Sequence, residues 1–241
     1  MVPVYNHGQA VGAVAAALLR HQVHCILVDD GSAASCAAVL DALALAQPER
    51  ITLVRHARNQ GKGAAVISGA LRASQMGYSH ILQIDADGQH DSADVPRFLA
   101  LAAASPAALV VGCPLYDASV PAARLYGRYA THVWVWINTL SLQIRDSMCG
   151  LRVYPLAPML ALARRRALGR RMNFDTDILV RLYWEGLEVI NLPTRVGYPA
   201  GGVSHFRLWR DNLLITRMHT QLFFGMLRRA PRLLLRTWSR R

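Results

Sequence analysis

The sequence predicts an α/β fold: a mostly parallel sheet flanked by helices over residues 1–205, then a basic amphipathic helical appendage over 206–241. Three observations carry that reading. Short β-rich runs alternate with Ala/Leu-rich segments of helical length, polar clusters recur at the ends of the strands, and positive charge gathers near the C-terminus. Strands alternating with helices of about ten residues or more build right-handed βαβ units. In such sheets ligands bind beyond the carboxyl ends of the strands.

In chain order, Val2–Tyr5 reads as a strand and Gln9–His21 as a helix with apolar residues at helical spacing. His24–Val28 is a strand, Ser35–Ala46 a helix, Ile51–Arg55 a strand and Lys62–Met76 a helix. His80–Ile84 is a strand ending in acids, Ala93–Ala104 a helix and Ala108–Gly112 a strand. Beyond residue 115 the alternation loosens. Helices are expected over Arg124–Leu142, Leu156–Leu168 and Asp175–Glu185, a short strand over Glu188–Pro193, a Gly/Pro-bearing lid over Gly197–Ser204, and a long helix over Phe206–Arg229. No internal repeat or linker interrupts the chain.

Composition narrows the function classes. With 241 residues, 53% of them hydrophobic, the chain can bury one sizeable core. The most apolar stretch, Val133–Leu142, is far shorter than the ~18–20 residues needed to span a bilayer. No signal-peptide pattern precedes the first strand. Cys25, Cys36, Cys113 and Cys149 form no CxxC pair, so reduced thiols in a cytoplasmic protein are expected rather than a disulfide framework or zinc site. The formal net charge is +12, but residues 1–163 carry eleven basic against ten acidic residues, whereas 164–241 carry sixteen arginines against five acids. That asymmetry suits phosphate-bearing partners.

The sharpest chemical signal is Asp85-Ala86-Asp87-Gly88-Gln89-His90, directly after an apolar strand. In extended chain alternate residues point the same way, so Asp85, Asp87 and Gln89 can converge. Two carboxylates and an amide oxygen make a hard site for Mg²⁺ or Mn²⁺, with phosphate oxygens completing the shell. Asn6, Asp29–Asp30 and Asn59 follow the first, second and third strands, so four polar clusters share one rim.

Val2-Pro3-Val4-Tyr5-Asn6, Val28-Asp29-Asp30-Gly31-Ser32, Asn59-Gln60-Gly61-Lys62-Gly63 and Asp85-Ala86-Asp87, in that order, resemble the motifs of glycosyltransferase family 2. Gln89 and Asp146-Ser147-Met148-Cys149-Gly150-Leu151-Arg152 resemble its polyprenyl-phosphate glycosyltransferase branch, typified by dolichol-phosphate mannosyltransferase. The resemblance covers about residues 1–200 and implies a GT-A (Rossmann-like) fold. It also implies an inverting, metal-dependent transferase acting on a nucleotide-diphosphate sugar and a membrane-borne acceptor, with polyprenyl phosphate ahead of a lipid or saccharide hydroxyl.

The same resemblance implies residue roles. Pro3, Tyr5 and Asn6 would line the base and ribose pocket, Asp30 would accept from a base N–H, and Lys62, Asp85, Ala86 and Asp87 would complete the nucleotide site. Asp87 and Arg152 are expected to act at the reacting centre, with Asp177 as general base for a hydroxyl acceptor and Asp175 second. An acceptor phosphate needs no strong base. Arg128, Arg152, Ser204 and His205 are the expected acceptor or phosphate contacts, with Arg124 one helical turn from Arg128. Cys113-Pro114 stand where the family often has Arg.

On the C-terminal helix, Arg207, Arg210, Arg217 and Arg228 fall on one stripe among Trp209, Leu213, Phe223, Phe224 and Leu227. Such a segment fits the anionic inner face of the cell membrane. A non-catalytic nucleic-acid-binding protein is the alternative for an Arg-rich tail, but the acidic rim would repel nucleic-acid phosphates, so no nucleic-acid partner is expected.

Overall fold

Cys25–Asp29 is buried along its whole length, the pattern of a strand covered on both faces. This strand, β2, pairs in parallel with β1 (Val2–Val4) and β3 (Ile51–Arg55) in the order β1-β2-β3. The computed structural model that shows this describes residues 1–115, 122–197 and 207–238. A second sheet has the order β4-β6-β5-β7, with β4 at His80–Gln83, β5 at Leu109–Leu115, β6 at Arg152–Pro155 and β7 at Val189–Arg195. The main chain of Met1 joins the two. Its nitrogen donates to Leu82 O at 2.7 Å, and Ile84 N donates to Met1 O at 3.1 Å, so β4 continues the layer beside β1.

The sheet is mostly parallel, as the alternation predicts, but β6 runs antiparallel between β4 and β5. The sequence reading gave those four residues no element. The helices are α1 (Gly8–Arg20), α2 (Ala34–Ala46), α3 (Lys62–Gln75), α4 (Val95–Ala104), α5 (Ala122–Thr139), α6 (Leu156–Arg165), α7 (Phe174–Trp184), α8 (Leu208–Leu227) and α9 (Ala230–Trp238). α5 stops at Thr139, short of the expected Leu142, where Leu140 turns to φ +49°. The expected helix over Phe206–Arg229 ends earlier, and Pro231 lies in the first turn of the separate α9.

Strand periodicity divides the core. Ile26, Val28, Leu109, Val111 and Tyr154 face one side, with residues of α3, α6, α7 and α8. Cys25, Leu27, Val110 and Val153 face the other, with residues of α1, α2 and α4. Met218, Leu222, Met226 and Leu233 of the C-terminal helices share the first of these clusters. The four cysteines are free.

Candidate active site

The first two rim turns interlock. Asn6 adopts φ +57°, a left-handed conformation that Asn tolerates better than most residues. Its amide N–H donates to Ser32 Oγ at 3.0 Å, and its Oδ1 accepts from Ala33 N at 2.8 Å. Asp29 accepts from Ser32 N and from Arg55 Nε, both at 2.9 Å. Pro3 is buried within β1, Tyr5 is half-buried and Asn6 is exposed, so of the expected base-pocket residues Asn6 is the most open to solvent.

Asp30 carries the third turn. Its carboxylate accepts from Gln60 N at 2.8 Å and Gly61 N at 2.7 Å, and lies 2.7 Å from His56 Nδ1. His56 Nε2 is in turn 2.9 Å from Ser68 Oγ. Asp30 is 2% exposed. Three protein groups engage the carboxylate that is expected to accept from a base N–H, and it shapes the loop leading into α3. His56 is a site residue that sequence reading missed, although its place at the end of β3 marked it.

Lys62 opens α3 and reaches two carboxylates. Its Nζ lies 2.7 Å from Asp175 Oδ2 at the start of α7, and 2.8 and 2.9 Å from Asp85 Oδ1 and Oδ2 at the end of β4. Gln83 Nε2 donates to Asp175 Oδ1 at 3.2 Å. Burial pulls the Lys62 ammonium down, but Asp175 and Asp85 outweigh it and hold the ammonium above its ordinary value. Burial likewise pushes the Asp85 carboxyl up, and Lys62 followed by His90 leaves it below the usual carboxylate range. Glycine makes this approach possible. Gly61 has φ +100°, and a Cβ there would land on the Arg170 carbonyl oxygen.

The acidic turn sits directly above. Asp87 Oδ1 accepts from Gln89 N at 3.0 Å, and Gly88 takes φ +73°. Ala86 is buried in the core. Gln89 O accepts from Gly197 N at 2.9 Å, and His90 forms an antiparallel bridge with Val196. The turn is thereby tied to the segment leading into the expected lid, most of which, with Ser204 and His205, lies outside the described residues.

The donors suit a hard divalent cation in type: Asp85 Oδ1 is buried with Lys62 Nζ 2.8 Å away, and Asp87 follows two residues on. Among the described residues no group of three or more His, Cys, Asp or Glu is placed to hold a metal. A cation here would take much of its shell from ligand oxygens and share Asp85 with Lys62.

Three expected catalytic or acceptor residues are engaged by the protein's own groups. Arg152 is fully buried: Nε donates to Cys149 O at 2.7 Å, Nη2 to Ser147 O at 2.6 Å, and Nη1 to Asp175 O at 2.6 Å and Tyr154 Oη at 3.3 Å. It braces the 146–151 loop against α7 and has no open face for a phosphate. Asp177, also buried, accepts from Arg181 Nε at 2.6 Å and Gly169 N at 2.8 Å, so it is not placed as a free base. Asp175, the second choice, is the one beside Lys62. Arg128 binds Asp146 in bidentate fashion, at 2.7 and 2.9 Å. Asp146 also accepts from Met148 N and Cys149 N. The Arg124 side chain lies outside the described set.

A mostly parallel sheet with a Gly-rich loop entering α3 and a DxD turn closing β4 defines a nucleotide-sugar-dependent glycosyltransferase of the GT-A fold. The family model described as Glycosyl transferase family 2 matches residues 1–171, and the chain belongs to that family. It is 27% identical over 219 residues to polyprenol monophosphomannose synthase of Mycolicibacterium smegmatis, spanning 85% of this chain and 78% of the relative. It is 32% identical over 108 residues to undecaprenyl-phosphate 4-deoxy-4-formamido-L-arabinose transferase of Pseudomonas fluorescens, spanning 42% and 31% of the two chains. In fold it matches glucosyl-3-phosphoglycerate synthase of Mycobacterium tuberculosis, solved with Mg²⁺ and uridine diphosphate. The TM-score is 0.66 at 15% identity, over 93% of this chain and 77% of that one.

Proposed function

We propose that the protein is an inverting transferase moving a sugar from a nucleotide-diphosphate donor to polyprenyl phosphate at a membrane surface. The observation that carries this reading is the Asp85–Lys62–Asp175 constellation at the carboxyl ends of the strands, beneath the Asp85-Ala86-Asp87 turn. Asp85 and Asp87, with Gln89 nearby, would hold Mg²⁺ or Mn²⁺, which offsets charge on a departing diphosphate as a Lewis acid. Lys62 keeps the paired carboxylates compatible with an anionic ligand, and Asn6 and Tyr5 border the nucleoside end.

An acceptor phosphate oxygen attacks the anomeric carbon as the bond from that carbon to the diphosphate breaks, inverting the centre. The oxygen is already anionic, so no base is required. This suits the site: Asp177 is engaged by Arg181 and Gly169, and Asp175 by Lys62 and Gln83. A hydroxyl acceptor would need one of them free.

The membrane part of the reading rests on α5 and α8. The outward face of α5 exposes Tyr126, Tyr129, Val133, Trp134 and Ile137, and α8 exposes Trp209, Leu213 and Phe224 beside Arg210 and Arg217. Trp134 meets Phe223 edge-on at 6.4 Å, so the two faces adjoin. Exposed aromatics fringed by arginine suit peripheral attachment to an anionic inner leaflet. No helix among the described residues is long and apolar enough to cross a membrane.

The test is a panel of UDP, GDP and dTDP sugars with Mn²⁺ and purified polyprenyl phosphate. A glycolipid product from one donor is expected. A product on a lipid or saccharide hydroxyl instead, or none across the panel, overturns the reading.

A further inference from the structure

The start of α7 touches the rim, and its far end opens onto a different feature. Trp184 lies nine positions beyond Asp175, about 13 Å along the helix axis. There a cavity of about 480 Å³ is lined by Arg166, Arg228, Arg229 and Arg232 with Pro231. A neighbouring cavity of about 400 Å³ shares Arg166, Arg228 and Arg229 and reaches Arg181 and Trp184. Together they form one groove across the end of α6, the end of α7, the α8 terminus and α9.

Five guanidinium groups, from α7, α9 and the ends of α6 and α8, line this groove, and the acids near it are already paired. Asp177 is held by Arg181, and Glu185 lies 3.4 Å from Arg165. Among the described residues, Arg166, Arg228, Arg229 and Arg232 form no ion pair. Arg229 is held in place by the protein: Nη1 donates to Gly225 O at 3.0 Å, and its guanidinium lies 4.8 Å from the centre of the Trp184 ring. A Cβ at Gly225 would strike that ring, so glycine there lets the Trp184–Arg229 stack form. Burial, then the Arg166 charge, lowers the Arg229 guanidinium below its ordinary value, with Glu185 opposing them.

We infer that this groove binds phosphate groups, presented by an anionic lipid headgroup or by a free phosphorylated small molecule. Arginine forks match phosphate oxygens in pairs, and a bound phosphate relieves the repulsion among Arg166, Arg228, Arg229 and Arg232. The assignment stands apart from the transfer reaction proposed above, because it uses none of the rim residues.

Two probes separate the sources at about 0.15 M salt, where exposed single charges are largely screened. Inorganic pyrophosphate is followed by calorimetry, and vesicles of phosphatidylglycerol and phosphatidylcholine by flotation. Arg228→Gln/Arg232→Gln is compared with Arg20→Gln/Arg72→Gln, which removes equal charge from exposed positions elsewhere. Association with at least one probe should weaken about tenfold or more in the first pair and less than about twofold in the second. Pyrophosphate binding identifies the free-ligand source, and vesicle binding alone identifies the headgroup. Should the first pair fail to fold, Arg166→Gln probes the groove from another helix. Equal weakening in groove and control variants, or no association of the wild type with either probe, overturns the inference.

Discussion

Gly150 lies against Asp85 so closely that a Cβ at position 150 would fall on the Asp85 carboxylate. The relationship ties the loop after α5 to the acidic turn after β4, segments remote in sequence. Gly150→Ala must push the carboxylate aside. We expect kcat/KM to fall about 100-fold through misplacement of the site, while stability falls by about 1–2 kcal/mol. Steady-state kinetics and urea denaturation check this together; unchanged kinetics would show that Asp85 is not held by this contact.

Lys62 answers two carboxylates, so removing it should leave both short of a partner. Lys62→Met is expected to destabilise the protein by about 3 kcal/mol. Adding Asp175→Asn should restore part of the loss, giving a coupling of about 1 kcal/mol or more in a double-mutant cycle. Strict additivity would mean that the 2.7 Å contact carries no energy.

Arg152 is expected to act as a brace, not a ligand. Arg152→Lys keeps the charge but cannot reach three carbonyl oxygens in the same fork, so it should destabilise by about 2–3 kcal/mol. Its KM for acceptor should stay near wild type at a temperature where the variant is folded. A raised acceptor KM with unaltered stability would restore the phosphate-contact role.

Acid sensitivity should come in two windows. Burial lowers the His219 imidazole to about 4, so between its ordinary value of 6.5 and about 4 the unfolded chain binds more protons and stability falls as pH falls. His219→Leu should reduce the loss in that window, and His90 and His132, also lowered by burial, should leave the rest. Burial pushes the Asp146 carboxyl up, but Arg128 outweighs it and holds it below the ordinary 3.8. Its contribution is therefore complete above 3.8 and lost as pH drops below, and Asp146→Asn should remove it. Denaturation midpoints across the pH range of about 3–7 read both windows; a wild-type midpoint flat from 6.5 to 4 would contradict the buried His219.

Residues 1–112 were legible because apolar period and turn chemistry agree there, and all four polar clusters do close strands. β6 was not legible. It is four residues long, and its first residue is a charged Arg152 that only tertiary hydrogen bonds make tolerable inside a sheet. The acids and the one lysine of the rim are visible in the sequence, but their pairing is not. Whether Asp175 or Asp177 faces Lys62 depends on where α7 docks, and sequence spacing says nothing of that. The break before α9 did have a signal in Pro231, outweighed by the apolar run around it.

In the proposed reaction the Asp85-Ala86-Asp87 turn holds a nucleoside diphosphate through a divalent cation. The most direct test is calorimetric titration of UDP, GDP and dTDP into wild type and Asp87→Ala, with and without Mn²⁺. One nucleotide should bind only with Mn²⁺ and should bind Asp87→Ala at least about tenfold more weakly. Equal affinity without the cation, or in the variant, would contradict it.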